Sequence, residues 1–107
     1  MTLATATLAD RLARAMDGIR SNGAAALLVG LGADLRYLTG YTGHALERLT
    51  MLVVPYRGRP TMVAPRLEAM AAAALPVCTG GLVEVVAWDE TDDPYAIVAG
   101  RTSASGR

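Results

Sequence analysis

The chain's one imidazole, His44, lies in the run Thr42-Gly43-His44-Ala45-Leu46-Glu47-Arg48, directly after Tyr41. An imidazole, a carboxylate, a guanidinium and a phenol are thus gathered in one short stretch. Guanidinium groups bind carboxylates in a bidentate fork, and imidazole changes charge near neutral pH. Such a set can hold a peptide terminus or orient a substrate carbonyl. Tyr41, His44 and Arg48 are therefore the candidate substrate contacts. A solvated surface loop is the alternative, and the residues alone leave both open.

Other chemistries find less support. Gly30-Leu31-Gly32 sits between an expected strand and an expected helix, as a dinucleotide fingerprint would. The third glycine of that pattern falls on Leu35, so close packing over a pyrophosphate is lost. All ten basic residues are arginine, which excludes the lysine of a P-loop. A dinuclear metal site needs several carboxylates, usually with histidine. The acidic cluster Asp89-Glu90-Asp92-Asp93 falls where a loop and a helix cap are expected. Cys78 is the single cysteine, so neither an intrachain disulfide nor a cysteine cluster for zinc can form. It reads as a small buried thiol. No catalytic residue and no metal ligand is assigned to this chain.

The elements that must position these groups are legible from periodicity. Leu8, Leu12, Met16 and Ile19 recur at helical spacing over residues 8–21, with Thr7 as N-cap and Asn22-Gly23 as a left-handed exit. The continuous apolar run Ala24 to Val29 reads as a buried strand. Asp34 to Leu38 forms a short helix closed by Gly40. Leu49 to Val54 and Thr61 to Ala64 make an antiparallel hairpin around Tyr56-Arg57-Gly58-Arg59-Pro60. A helix over Arg66 to Ala74 should turn Leu67, Met70, Ala71 and Ala74 inward, and Pro76 stops it. Val83 to Trp88 is the last strand. Asp93-Pro94 then opens a helix at Tyr95 to Ala99. A hairpin embedded among helix-connected strands makes the fold α/β with a mixed sheet flanked by helices.

Length and composition set the outer bounds. A chain of 107 residues suits one domain, expected over 1–100, with 101–107 as linker or tail. The chain is 52% hydrophobic but has no phenylalanine. Its core must come from Ala, Leu, Val and Met, which points to modest stability helped by a partner surface. Ten basic residues balance ten acidic ones, so no polyanion partner such as nucleic acid is indicated. No apolar run approaches the ~20 residues that span a bilayer. The start, Met1 to Thr7, lacks the features of a secretion signal. With one cysteine, a cytoplasmic setting is expected.

One stretch resembles a known family. Asp34-Leu35-Arg36-Tyr37-Leu38-Thr39-Gly40-Tyr41 is similar to the "N-x-x-Y-L-T-G-F" segment of the amino-terminal domain of creatinases, prolidases and Xaa-Pro aminopeptidases, with Tyr41 for the common Phe. Before it, Gly23 to Val29 resembles that family's "G-x-D-A-L-L-V" strand. After it come an apolar hairpin, Pro65-Arg66-Leu67-Glu68 for "P-x-L-E", Trp88-Asp89, and the Asp93-Pro94 helix start. No one of these is specific; their order and spacing are.

The resemblance implies a ribonuclease-H-like α/β domain that serves dimerisation and lends loop residues to an active site, often the partner subunit's. It implies a parent hydrolase that cleaves X-Pro peptide bonds or a related amide, using two divalent metals, Mn or Co, held on a second domain. That catalytic domain is expected to be absent from these residues. The chain is thus expected to be a non-catalytic support, paired as a homodimer through a sheet edge or the helix over 66–74. A freestanding interaction module without an enzymatic parent is the rival reading. A small-ligand domain using Gly30 to Gly32 is a third.

Overall fold

A computed structural model describes residues 5–24, 26–30, 32–41, 49–56 and 58–105. Nine elements follow in order: α1 (Thr5–Ser21), β1 (Ala26–Gly30), α2 (Ala33–Thr39), β2 (Met51–Pro55), β3 (Thr61–Pro65), α3 (Arg66–Ala73), α4 (Pro76–Thr79), β4 (Glu84–Trp88) and α5 (Pro94–Ser105). The four strands form one sheet in the order β1-β2-β3-β4. The first two pairings are antiparallel, and β3 runs parallel to β4. This is the mixed α/β sheet that the sequence implies.

Strand alternation sends side chains to two layers. Leu52 and Val54 of β2 and Met62 and Ala64 of β3 meet Leu8, Leu12 and Ile19 of α1, Leu35 and Leu38 of α2, Ala72 of α3 and Val77 of α4. On the opposite face Val53, Val63 and Trp88 meet Val98 of α5. Burying such aliphatic side chains is worth about 1.5–3 kcal/mol each, and it is the main force holding the layers.

The ends of the helices follow from local chemistry. Gly23 takes φ 70° at the end of α1. There Ala24 N–H donates to Ile19 O and Gly23 N–H to Arg20 O, a Schellman exit. Asp93 caps α5 through Oδ1, which accepts from the N–H of Tyr95 at 3.0 Å and of Ala96 at 3.3 Å. Asp93→Ala should therefore cost about 1 kcal/mol in urea unfolding. An unchanged midpoint would show that Pro94 alone sets this helix start.

Four expectations need correction. Thr7 is not an N-cap, because α1 already includes it. The run Ala24 to Val29 is not a buried strand: β1 lies at the sheet edge, with Leu27 40% and Leu28 48% exposed. Pro76 does not only stop a helix; as the first residue of α4 it also starts one. The inward face assigned to the helix over 66–74 is reversed. Leu67 and Met70 of α3 are 84% and 82% exposed, while Ala69 and Ala72 are buried. In addition, residues 101–105, expected as linker or tail, continue α5. No helix of the described residues is long and apolar enough to cross a membrane.

Candidate functional site

Strands β3 and β4 end side by side, Pro65 opposite Trp88. The carboxyl ends of parallel strands are where α/β sheets usually place their working groups. Here that end collects the motif residues. Arg66, the first residue of α3, grips Asp89, the first residue after β4. Its Nε donates to Oδ1 and its Nη2 to Oδ2, both at 2.7 Å. The Arg66 guanidinium holds the Asp89 carboxyl below the usual carboxylate range. Asp89 N–H in turn donates to Asp92 Oδ2 at 2.8 Å. Together with Leu67, Trp88, Glu90 and Thr91, this pair lines a shallow crevice of about 500 Å³.

Two more bonds tie this end to the segment that carried the sequence's best chemistry. Tyr41 Oη donates to Glu68 Oε1 at 2.7 Å. Trp88 Nε1–H donates to the carbonyl of Leu49 at 2.9 Å. Tyr41 and Leu49 flank residues 42–48, so both flanks are fastened to motif residues of α3 and β4. Approach from α2 is equally fixed. Gly40 takes φ 83° and donates to Arg36 O, while Thr39 Oγ1 donates to Leu35 O and accepts from Tyr41 N–H. Only glycine adopts that left-handed backbone without strain.

Among the three candidate contacts, the structure places Tyr41 in the core, 6% exposed. Its phenol is pushed up to about 12, first by burial and then by the Glu68 carboxylate. The hydroxyl therefore acts as a fastener at neutral pH. His44 and Arg48 lie outside the described residues. Sequence reasoning missed Arg66, Glu68, Trp88 and Asp89 as partners. Their only signal was membership in the "P-x-L-E" and Trp-acidic segments; nothing in a linear reading pairs positions 23 to 39 residues apart.

The described residues do not suit a metal pair. No group of three or more His, Cys, Asp or Glu converges among them. Within the acidic cluster Asp89 is taken by Arg66, Asp92 accepts from the backbone, and Asp93 caps α5. Cys78 on α4 is half-buried, and burial pushes its thiol up, the reverse of nucleophile activation. A larger groove of about 700 Å³ runs along β1 between α1 and α2. Its cations are spoken for: Arg11 stacks 4.0 Å over the Tyr37 ring and donates to Tyr37 O, and Arg14 pairs with Asp10. Gly30 and Gly32 line it, but Leu35 is fully buried and Asp34 occupies the first turn of α2, where it would repel an anion.

Comparison with known proteins agrees with this fold. The sequence matches the creatinase/prolidase N-terminal domain over residues 11–107. The chain belongs to that family. It is 42% identical over 91 residues to the probable dipeptidase PepE of Mycobacterium tuberculosis, covering 85% of this chain and 24% of that protein. The crystal structure of dipeptidase PepE from Mycobacterium ulcerans superposes with a TM-score of 0.87 at 40% identity, covering 96% of this chain and 28% of that one. A recombinant prolidase from Thermococcus sibiricus gives a TM-score of 0.71 at 30% identity, covering 91% and 25%. The chain thus spans about a quarter of the length of these relatives. It is a domain of the prolidase type, which favours the main sequence reading over a freestanding interaction module without an enzymatic parent.

Proposed function

We propose that this chain is the non-catalytic amino-terminal part of a metal-dependent, cytoplasmic Xaa-Pro-type dipeptidase. Its role is to pair subunits and to present residues 42–48 to an active site built on other polypeptide. The observation that supports this best is the fastening of the two residues on either side of that segment, Tyr41 to Glu68 and Leu49 to Trp88. Fixed flanks are what positioning a substrate requires. In this reading His44 and Arg48 are the direct contacts, and Tyr41 contributes by holding the flank. The two divalent ions, Mn or Co, belong to the catalytic polypeptide. Held there, they would supply Lewis-acid activation of water; the residues of this chain would orient the peptide.

A chimaera tests the proposal. This chain should replace the matching quarter of the Mycobacterium tuberculosis probable dipeptidase and keep its dipeptide hydrolysis within about tenfold, with Xaa-Pro dipeptides among the substrates tried. His44→Ala or Arg48→Ala in the chimaera should raise KM more than it lowers kcat. The 107-residue chain by itself should show no hydrolysis with Mn or Co added. Chelator-sensitive cleavage by the chain alone would overturn the non-catalytic reading. A folded chimaera indifferent to both substitutions would remove the segment from substrate binding.

A further inference from the structure

Strand β1 lies at an edge but is built like an inner strand. Leu27 and Leu28 point to opposite faces of the sheet, and both are exposed. An edge strand that meets water is usually blunted by charge, proline or a bulge. Beyond β1 runs the groove of about 700 Å³, floored by Leu27 to Gly30 and flanked by Ala15 of α1 and Leu38 of α2. Its arginines are already engaged within the chain, so its floor offers backbone and apolar side chains. An extended strand fits such a slot, because an open edge presents a row of unpaired N–H and C=O groups.

The path of the chain says where that strand comes from. Among the described residues the sheet has two open edges, outside β1 and outside β4. Connections between parallel strands of one sheet are almost always right-handed. From β3 to β4 the chain crosses through α3 and α4, whose Ala72 and Val77 pack on one face of the sheet. After β4 it enters α5, whose Val98 packs on the opposite face. A right-handed crossover on the opposite face runs in the opposite direction, back over β3 and β2. Val98 lies against Val63 of β3 and Val53 of β2, so α5 is already on that path. The first open position ahead of it is the outer edge of β1. Strand β1, two antiparallel steps from β3, is parallel to β3 and β4. We propose that this edge takes a fifth strand, parallel to β1 and apolar on both faces, supplied by the polypeptide that follows α5 in the longer members of the family. The 107-residue chain then holds an open slot and binds that strand when it is offered as a separate peptide. A second copy of β1 paired about a two-fold axis would run antiparallel and leave the path of α5 unexplained. None of this depends on what residues 42–48 touch.

Overlapping synthetic peptides of about twelve residues test this, since strands and the loops that lead to them are short. They are taken from the Mycobacterium tuberculosis probable dipeptidase, on the carboxy-terminal side of its aligned residues. One of them should bind and slow amide exchange about tenfold or more at the outward-facing N–H groups of residues 26–30, followed by NMR. Residues 84–88 should be unchanged, and a scrambled peptide should do neither. The double variant Leu27→Glu, Leu28→Glu should weaken binding about tenfold or more, with the circular dichroism of the free chain unchanged because both side chains are exposed. Appending the same polypeptide to Arg107 should give the same protection at residues 26–30 within one chain. Protection at residues 84–88 instead would place the strand outside β4 and overturn the proposal. Protection at residues 26–30 that needs no peptide and rises with chain concentration would make a second copy the occupant and overturn it too. No protection in either the mixture or the extended chain would leave β1 a true edge and end the proposal.

Discussion

Trp88→Ala should lower the free energy of unfolding by about 3–5 kcal/mol, the usual loss for removing a large buried ring. Trp88 packs with Val53, Val63 and Val98 in the thinner of the two layers, where only α5 covers the sheet. Few neighbours can collapse into the space it would leave. The same change frees the carbonyl of Leu49. Trp88→Phe separates the two effects: it keeps most of the ring and loses the N–H, and should cost nearer 1 kcal/mol beyond its smaller volume. Urea unfolding followed by circular dichroism measures both, since Trp88 is the chain's one indole. A loss under about 1 kcal/mol for Trp88→Ala would show that α5 is held by something other than this ring. In the chimaera, both variants should also raise KM if residues 42–48 meet substrate as proposed, because Leu49 flanks them.

The second large effect is on pH. Tyr41 titrates near 10 when unfolded and at about 12 in the folded chain. Below pH 10 both states hold the proton, and its contribution is complete. Between pH 10 and 12 the unfolded chain releases the proton while the native chain keeps it, so stability falls as pH rises. The full window is worth about 2–3 kcal/mol by linkage. Cys78 is raised too, and its titration pulls in the same direction. The informative quantity is thus the difference between the chain and Tyr41→Phe. That variant should lose about 1 kcal/mol at neutral pH and show a shallower decline above pH 10. Parallel curves for the two proteins would mean that the Glu68 bond does not hold Tyr41 in solution.

Local signals carried most of the fold. The period of α1, the glycine exits at Gly23 and Gly40, the hairpin of β2 and β3, and the Asp93-Pro94 start are each decided by residues close in sequence, and each is present. What failed needed knowledge of neighbours. The Ala24 to Val29 run is apolar on both faces, as a central strand would be, yet β1 has a partner on one side only. The stripe of α3 has the right spacing for a core face but belongs to no core among the described residues. At the candidate site, the linear reading singled out Tyr41, His44 and Arg48 by residue type, and of these the structure describes Tyr41. The linear reading could not find the fasteners: Tyr41 to Glu68, Trp88 to Leu49 and Arg66 to Asp89 are decided by how β3 and β4 bring their ends together. The family resemblance marked those residues without saying what they touch.

Each strand of this sheet lies beside its predecessor in the chain. A nascent polypeptide leaving the ribosome could therefore build the sheet one rung at a time, without holding a gap open for a later arrival. The β2–β3 hairpin, joined by a short turn, closes the smallest loop and should form first, with β1 returning across α2 and β4 across α3 and α4. The last rung brings Trp88 and Asp89, so the clasp on Leu49 and Arg66 is fitted only when the other three strands already stand, with α5 left to cover Trp88. Synthesis order and the order in which the working end is tightened are then the same.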